Sequence, residues 1–245
     1  MHLLIDIGNS RIKWVCIESK YTADIKSQAG TLVELINFIN TIDVSKTIVM
    51  IAAVNQTDDL KALIQAREFK KVTWAISQKE QAGIRNSYDL PERMGIDRWL
   101  AMVAGFKLRE NFQNSAGIIV VDAGSAMTVD VVDSSGLHRG GYIVPGLQMA
   151  QRALFANTEQ VVRYNEVSLS TGQAHNEFNL GNNTLQCVEY GVMNQLVALI
   201  VSVAAKFPSY KIIFSGGDGD MLASYFDSPI VDQNLVLKGL WQVRR

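Results

Sequence analysis

A short pattern occurs twice in this 245-residue sequence, and it limits the possible folds more than any other feature. In each copy an apolar run leads into Asp-x-Gly and a polar residue, at Asp6–Asn9 and at Asp122–Ser125, and a second run rich in β-forming residues follows. Such a turn between two β-rich runs is typical of a hairpin. One copy is unspecific, but two copies at the heads of two long stretches predict two related halves. Coincidental hairpins are the alternative.

The stretches that follow each turn alternate between strand and helix patterns. Thr47–Val54 is almost free of charge, as expected of a parallel strand that is covered on both faces. Thr31-Leu-Val-Glu34 is a capping box that opens a helix, and Leu185–Phe207 predicts a long apolar helix. Strands alternating with helices predict an α/β fold. Because no Pro- or Ser-rich linker separates the halves, we place the boundary between domains 1–114 and 115–245.

Charge and composition argue against several classes of protein. Lys and Arg total 23 against 24 acidic residues, which leaves no basic footprint for nucleic acid or an anionic membrane. The N-terminus has no basic segment before its short apolar run, so no signal peptide is expected. The most apolar stretch, Gly191–Ala205, is shorter than a membrane span and predicts a core helix. Cys16 and Cys187 lie in apolar stretches and predict buried thiols in a reducing, cytoplasmic compartment.

The two predicted turns have the residues that a phosphate site requires. A glycine turn between strands can bring backbone N–H groups against phosphate oxygens, and in the first turn Gly8–Ser10 is followed by Arg11 and Lys13. Asp6, at the strand end, can hold a hydrated Mg²⁺. Asp122, in the second turn, can face it across a cleft between the halves. Two carboxylates on opposed hairpins predict a site for a metal nucleotide.

Other phosphate-binding motifs are missing from the sequence or match poorly. It contains no G-x-x-x-x-G-K-[ST], which argues against a P-loop enzyme, and no protein-kinase motif set. The run Gly216-Gly-Asp-Gly219 follows an apolar strand but does not match G-x-G-x-x-G. Two interpretations of this run stay open, an ordinary loop between strand and helix and a backbone contact to a nucleoside.

A further candidate segment, Gly95–Arg98, opens a predicted helix after a polar stretch, Gln78–Met94, that has no clear period and predicts a loop. Spacing alone favours Asp97 as the N-cap of that helix. The alternative is a general base that takes a proton from an acceptor hydroxyl. Arg98 beside it can clamp a carboxylate or a phosphate.

Six motifs together resemble the type III pantothenate kinases, which belong to the superfamily of acetate and sugar kinases, heat-shock protein 70 and actin. The motifs run along nearly the whole chain in the family's order, and they are Asp6–Lys13, Gly95–Arg98, Asp122–Ala126 with Thr128 and Asp130, Gly140–Gly146, Gly181–Thr184 and Asn234–Gly239. The resemblance implies two actin-like (ribonuclease H-like) domains, each a mixed sheet with flanking helices. It also implies ATP-dependent phosphorylation of pantothenate to 4'-phosphopantothenate, the first step of coenzyme A biosynthesis.

The resemblance further implies a role for each matched residue. Asp97 looks like the base that deprotonates the pantothenate hydroxyl, and Asp122 looks like a ligand for a monovalent cation, K⁺ or NH₄⁺. Mg²⁺ would accompany ATP, held through water by Asp6. Contacts to ATP are implied for Asp6, Ile7, Gly8, Asn9, Ser10, Arg11, Ile12, Lys13 and Ser125. Contacts to pantothenate are implied for Tyr88, Gly95, Ile96, Asp97, Arg98 and Thr184, the last supplied by the partner in a homodimer.

The sequence departs from the family at two positions, since Ser10 and Ser125 stand where the family usually has Thr. Serine keeps the hydroxyl, so the chemistry is expected to survive. One alternative function is that of a non-catalytic relative acting as a transcription accessory factor, against which the complete set Asp6, Asp97 and Asp122 argues. A second alternative is a sibling kinase for acetate or a sugar, which the Gly-Ile-Asp-Arg motif disfavours.

Overall fold

The structure is a computed structural model that describes residues 1–9, 11–18, 25–54, 58–112, 115–157 and 180–244. The chain divides into two compact units. The first unit consists of Met1–Glu110, Ser135–His138 and Asn234–Arg245, and the second consists of Asn111–Ser134 and Arg139–Gln233. The sequence predicted a single cut between residues 114 and 115, whereas here two short segments from beyond that cut belong to the first unit.

Strands and helices alternate along the chain, as an α/β fold requires. The strands are β1 (His2–Ile7), β2 (Ile12–Ile17), β3 (Gln28–Gly30), β4 (Ile48–Ala53), β5 (Lys71–Trp74), β6 (Glu80–Gln81), β7 (Ile84–Arg85), β8 (Gly117–Ala123), β9 (Ala126–Asp133), β10 (His138–Pro145), β11 (Lys211–Ser215) and β12 (Ile230–Val231). The α-helices are α1 (Leu32–Ile39), α2 (Asp58–Gln65), α3 (Ile96–Leu108), α4 (Leu147–Asn157), α5 (Thr184–Lys206), α6 (Gly219–Ala223) and α7 (Leu235–Gln242). Short 3₁₀ turns occupy Val44–Lys46, Pro91–Arg93 and Arg109–Asn111.

The two large sheets have the same strand order. The first runs β3-β2-β1-β4-β5 and the second runs β10-β9-β8-β11-β12. The leading strand of each sheet pairs antiparallel with its hairpin partner, β1 with β2 and β8 with β9. Each leading strand also pairs parallel with a later strand, β1 with β4 and β8 with β11. The shared order confirms the two related halves and the α/β fold with mixed sheets.

Helices cover both faces of the first sheet. Leu3 and Ile5 of β1 pack with Leu35 of α1 and Leu60 of α2 in one buried cluster. Side chains alternate between the faces of a strand, so Leu4 lies on the opposite face, which α3 and α7 contact. Burial on both faces explains why β1 and β4 are nearly continuous apolar runs.

The core of the second unit lies between its sheet and the long helix α5. Ile119 and Val121 of β8 and Val129 of β9 are buried with Leu196 and Ile200 of α5. Each fully buried side chain of this size contributes about 1.5–3 kcal/mol to folding. The second unit therefore has its own core, as a domain must.

The stretch Gln78–Met94 is more ordered than the predicted loop. It contains the small antiparallel pair β6–β7 and the 3₁₀ turn Pro91–Arg93. Ala82 and Gly83 connect the two strands, both with positive φ, as the central residues of a type I′ turn require. The prediction of a featureless loop was wrong because Ala-Gly is a weaker turn signal than Asn-Gly, and strands of two residues show no period.

Helix α5 has the predicted length, shifted by one residue from Leu185–Phe207, but it is less buried than the predicted core helix. It has 23 residues, so by length and composition alone it could cross a membrane, a property shared by core helices of soluble proteins. Only 28% of its most apolar window is buried. Cys187 on this helix is exposed, so the prediction of a buried thiol was wrong there. Cys16 is half-buried, and burial raises the pKa of its thiol.

Candidate active site

The first predicted phosphate turn joins β1 to β2. Asp6 is paired across the strands with Lys13, and Ile7 is paired with Ile12, which closes the hairpin. The Gly8 N–H donates to the Arg11 carbonyl at 3.2 Å. The described tip residues, Gly8, Asn9 and Arg11, are exposed, while Ser10 lies outside the described residues. A ligand can therefore approach the backbone of this turn.

The second turn joins β8 to β9 in the same register. Asp122 is paired with Thr128, and Ala123 is paired with Met127. The Gly124 N–H donates to the Ala126 carbonyl at 3.0 Å. The pair Ala123–Met127 closes the second hairpin and encloses residues 124–126, whereas the pair Ile7–Ile12 of the first hairpin encloses residues 8–11. The second turn is therefore one residue shorter. Ser125, at its tip, is exposed.

The two aspartates have different neighbours in their sheets. Asp6 is paired with Lys13 on one side and with Ala52 of β4 on the other. Asp122 is paired with Thr128 and with Ser215 of β11. Residues paired in register lie on one face, with Cβ atoms about 4.5–5.5 Å apart across an antiparallel pair. Asp6 therefore has a lysine as its cross-strand neighbour on the same face, and Asp122 lies between two hydroxyl residues.

These neighbours suit different ligands. Lys13 and Arg11 give the first hairpin positive charge, which favours phosphate oxygens. A carboxylate flanked by hydroxyls offers only hard oxygen donors, which favour a cation such as K⁺ or Mg²⁺. Among the described residues, no group of three or more His, Cys, Asp or Glu side chains could enclose a metal ion. A nucleotide site needs no such cage, because Mg²⁺ there is commonly held by one or two carboxylates and the phosphates.

Two glycine segments pack tightly against the second hairpin. Gly216 has φ +86°, and a Cβ on it would lie 2.5 Å from the Asp122 Oδ1 atom. The Asp218 N–H donates to the Ala123 carbonyl at 2.9 Å. The Gly146 N–H donates to the Ser125 carbonyl at 2.9 Å. Close packing explains these glycines without a ligand, and a nucleoside contact of the run at 216–219 stays a hypothesis.

Asp97 lies inside the first turn of α3 and is not its N-cap. The helix begins at Ile96, Gly95 is the N-cap, and no side chain caps this end. The Asp97 carboxylate instead accepts the Arg98 N–H at 2.8 Å. A Cβ on Gly95 would lie 2.6 Å from the same carboxylate oxygen. The prediction of an N-cap was wrong by two positions, because glycine can also take the cap position.

Arg98 joins this helix start to the preceding loop. Its side chain is only 6% exposed, and its Nη1 atom donates to the Tyr88 hydroxyl at 3.0 Å. Its Cζ atom lies 5.9 Å from the centre of the Tyr88 ring. Burying a guanidinium is costly unless it is hydrogen-bonded, so this pair is held in place. An arginine beside a half-buried tyrosine and a carboxylate can orient an acidic substrate that carries a hydroxyl.

The structure therefore gathers most predicted acceptor-site residues in one place. Tyr88 and the segment Gly95–Arg98 form a cluster within the first unit. Thr184 does not belong to this cluster, because it is the exposed first residue of α5 in the second unit. Thr184 comes directly after the N-cap residue Asn183, whose side chain accepts the Gln186 N–H at 3.0 Å.

Sequence reasoning missed three residues beside these sites. Ser87 and His138 adjoin Tyr88, with the Ser87 Oγ and His138 Nδ1 atoms 2.9 Å apart. They are 51 positions apart, so no local pattern could have linked them. Ser215 adjoins Asp122 and could have been found, since it ends an apolar strand just as Asp122 does.

Comparisons with known proteins point to a single family. A family model described as type III pantothenate kinase matches residues 2–206. The type III pantothenate kinase of Marinobacter nauticus is 34% identical over 249 residues, covering 99% of this chain and 98% of its own. A Campylobacter jejuni structure, provisionally described as a Baf family transcriptional activator, has a TM-score of 0.63 and 25% identity over 98% of this chain and 96% of its own.

A more distant structure supports the fold alone. It is a Sinorhizobium meliloti protein provisionally described as a 2-dehydro-3-deoxygalactonokinase. Its TM-score is 0.58 at 11% identity, with 100% of this chain and 96% of its own covered. Its likeness agrees with the actin-like architecture that the repeated sheets indicate.

Proposed function

The chain belongs to the type III pantothenate kinase family, and we propose that it transfers the γ-phosphoryl group of ATP to the hydroxyl of pantothenate, giving 4'-phosphopantothenate. The observation that carries this proposal is the family match along residues 2–206. The acidic residues that the reaction requires, Asp6, Asp97 and Asp122, are all present. The product is the first intermediate of coenzyme A biosynthesis, and a cytoplasmic location fits that role.

The acceptor cluster supports a division of labour among its residues. Asp97 is the general base, the role that the family resemblance implies for the aspartate of Gly95–Arg98, and its Oδ1 atom is oriented by accepting the Arg98 N–H at 2.8 Å. Arg98 binds the pantothenate carboxylate and is held in place by Tyr88. Gly95 leaves the space that the Asp97 carboxylate occupies, and the backbone of Gly95 and Ile96 lines the site. These residues position the hydroxyl and accept its proton, while most of the rate comes from alignment with ATP.

Each hairpin carries residues for which the family resemblance implies a contact to ATP. The first, Asp6–Lys13, binds phosphate oxygens through turn N–H groups and the Lys13 ammonium, and Ser125 adds a contact from the second. Asp6 would hold the Mg²⁺ that accompanies ATP, and the ion would offset phosphate charge. Asp122, with Thr128 and Ser215 as its neighbours in register, would hold K⁺ or NH₄⁺.

An assay of ADP release tests the function directly. Purified protein with ATP and Mg²⁺ is expected to release ADP only when pantothenate is added, and faster in K⁺ or NH₄⁺ than in Na⁺ or tetramethylammonium at equal ionic strength. ADP release that ignores pantothenate would be ATP hydrolysis and would contradict pantothenate as the acceptor, whereas release that requires acetate or a sugar instead would point to a sibling kinase. No release in any salt from a folded protein would favour the activator role described for the Campylobacter jejuni relative. Equal rates in all four salts would remove Asp122 from a monovalent-cation role.

A homodimer would cover the exposed face of α5. Val201 is 50% exposed, and apolar or small residues repeat along the same side of the helix. They are Cys187, Gly191, Ala198, Val201 and Ala205. The exposed Asn194 interrupts this side of the helix between Gly191 and Ala198. A mainly apolar exposed side of this kind suits contact with a second copy of the chain. Thr184 begins the same helix, so a two-fold dimer would bring it to the partner's pantothenate.

Mixing of inactive variants tests shared sites. An Asp97→Asn subunit and a Thr184→Trp subunit are each expected to be inactive alone. If sites are completed by the partner, a mixed dimer carries one site with neither change, and activity returns to a substantial fraction of wild type. No recovery after verified subunit exchange would mean that each chain builds its own site.

A further inference from the structure

A short segment from the second half of the sequence belongs to the first unit. Ser135–His138, between β9 and β10, packs on the loop that contains Tyr88. The Arg85 N–H donates to the Gly136 carbonyl at 2.8 Å, and Arg85 also forms a bridge with Leu137. Gly136 has φ +81°, and a Cβ on it would collide with the Gly83 carbonyl. This close backbone fit holds the segment in one position.

His138, the last residue of this segment and the first of β10, is almost fully buried. It is 1% exposed, and its Nδ1 atom lies 2.9 Å from the Ser87 Oγ atom. Its ring centre lies 6.2 Å from that of Tyr88, with the ring planes at 35°. A buried imidazole costs free energy unless it is hydrogen-bonded, and here the Ser87 hydroxyl supplies a hydrogen bond. This bond ties the buried ring to the loop that carries Tyr88.

Tyr88 is held from two sides. Its hydroxyl accepts from the buried Arg98 at 3.0 Å, while its ring lies beside His138. Its backbone is also fixed, since the Tyr88 N–H donates to the Asn86 Oδ1 atom at 3.0 Å and its carbonyl accepts from Lys79 Nζ at 3.3 Å. The exposed residue before it, Ser87, is tied to His138 by the hydrogen bond.

We propose that His138 is a positioning residue for the acceptor substrate. Through Ser87 and through its ring, it sets the orientation of Tyr88, and Tyr88 in turn places the Arg98 guanidinium that receives the substrate carboxylate. His138 itself touches neither substrate nor nucleotide. This proposal rests on the proposed function, because it assumes that Tyr88 and Arg98 bind pantothenate.

Two variants remove the hydrogen bond from opposite ends. His138→Phe keeps an aromatic ring and removes the Nδ1 atom, and Ser87→Ala removes the hydroxyl from an exposed residue. Each is expected to raise KM for pantothenate about three- to tenfold, the value of one net hydrogen bond, with kcat and KM for ATP unchanged. The double variant is expected to lose no more than the worse single variant, because both changes break the same link. His138→Asn keeps a polar atom near the Nδ1 position, so its KM is expected to lie closer to wild type.

A matched control separates positioning from stability. Thr47 is fully buried in the same unit, and its hydroxyl donates to the Asp43 carbonyl at 2.7 Å. Thr47→Val is expected to lower the melting temperature and leave KM for pantothenate unchanged.

The possible results separate the inference from the proposed function. Unchanged KM in Ser87→Ala, with wild-type activity present, would overturn the positioning role even if His138→Phe failed to fold. A fall in kcat together with a rise in both KM values would also overturn the positioning role, because that is the pattern of general destabilisation. A wild-type protein that phosphorylates no pantothenate would contradict the proposed function and this inference together.

Discussion

The two leading hairpins share a pattern of strand pairing, but a cationic residue faces the aspartate in one and neutral hydroxyl residues face it in the other. In the first unit Asp6 lies opposite Lys13, and in the second Asp122 lies opposite Thr128 and beside Ser215. The register places each aspartate one pair before the pair that closes its hairpin. The backbone therefore decides where a carboxylate stands, and the residue across the strand decides which ligand it can serve. A nearby ammonium suits a polyphosphate, whereas flanking hydroxyls suit a cation.

A second difference concerns the helix that comes after the fifth strand of each sheet. Helix α3 comes after β5 and carries Asp97, and α7 comes after β12, yet both belong to the first unit and pack together there. The predicted acceptor cluster around Asp97 consequently stands in the first unit alone. The same sheet order occurs in both units, but the first unit holds both helices and the predicted base.

The largest expected effect tests whether the first unit alone supplies the base. Asp97→Asn keeps the Oδ1 atom that accepts the Arg98 N–H, so the protein should fold and bind pantothenate normally. Turnover should fall about 10²- to 10⁴-fold, the usual contribution of a general base. Steady-state ADP release measures the turnover, and circular dichroism and calorimetric binding of pantothenate are the controls. Near-native turnover in the folded variant would mean that Asp97 has only a structural role.

The next prediction compares the two hairpins directly. Lys13→Met removes the cation opposite Asp6, and kcat/KM for ATP should fall about 10²-fold, as when one charge-stabilising donor is lost. Thr128→Val makes the corresponding change opposite Asp122, and it should cost about tenfold or less, because only a neutral hydroxyl is lost.

Both variants are assayed at fixed saturating pantothenate. If Thr128→Val lowered kcat/KM for ATP as much as Lys13→Met does, the two hairpins would not be specialised in the proposed way.

The smallest expected effect concerns the packing of the two shared helices. A Cβ on Gly239 of α7 would collide with the Leu100 carbonyl of α3. Gly239→Ala should therefore lower the free energy of unfolding by about 1–3 kcal/mol, measured by urea denaturation. Gly124→Ala in the second hairpin is the control, since its nearest neighbour would be the Ala126 carbonyl at an ordinary 3.8 Å. Equal stability of the two variants would mean that the helices separate easily to admit a methyl group.

Local chemistry makes several elements of this fold predictable from short stretches of sequence. The Thr31–Glu34 capping box is formed as predicted, with the Glu34 carboxylate accepting the Thr31 N–H at 2.7 Å, and this hydrogen bond lowers the pKa of Glu34. The start of α3 was harder to predict from the sequence. Both Gly95 and Asp97 are acceptable N-caps, and the choice between them depends on how the preceding loop meets the helix through Arg98 and Tyr88.

The sequence by itself determined the repeated plan. An apolar run, an Asp-x-Gly turn and a second β-rich run are local signals, and they form a hairpin in any surroundings. Helices, strands and the two carboxylate-bearing turns follow from such signals. The tertiary structure alone decided which distant residues meet: Ser215 beside Asp122, His138 beside Ser87, and α7 on α3. These contacts join positions far apart in the chain, and burial of apolar surface selects them only when the whole unit packs, so no short stretch of sequence encodes them.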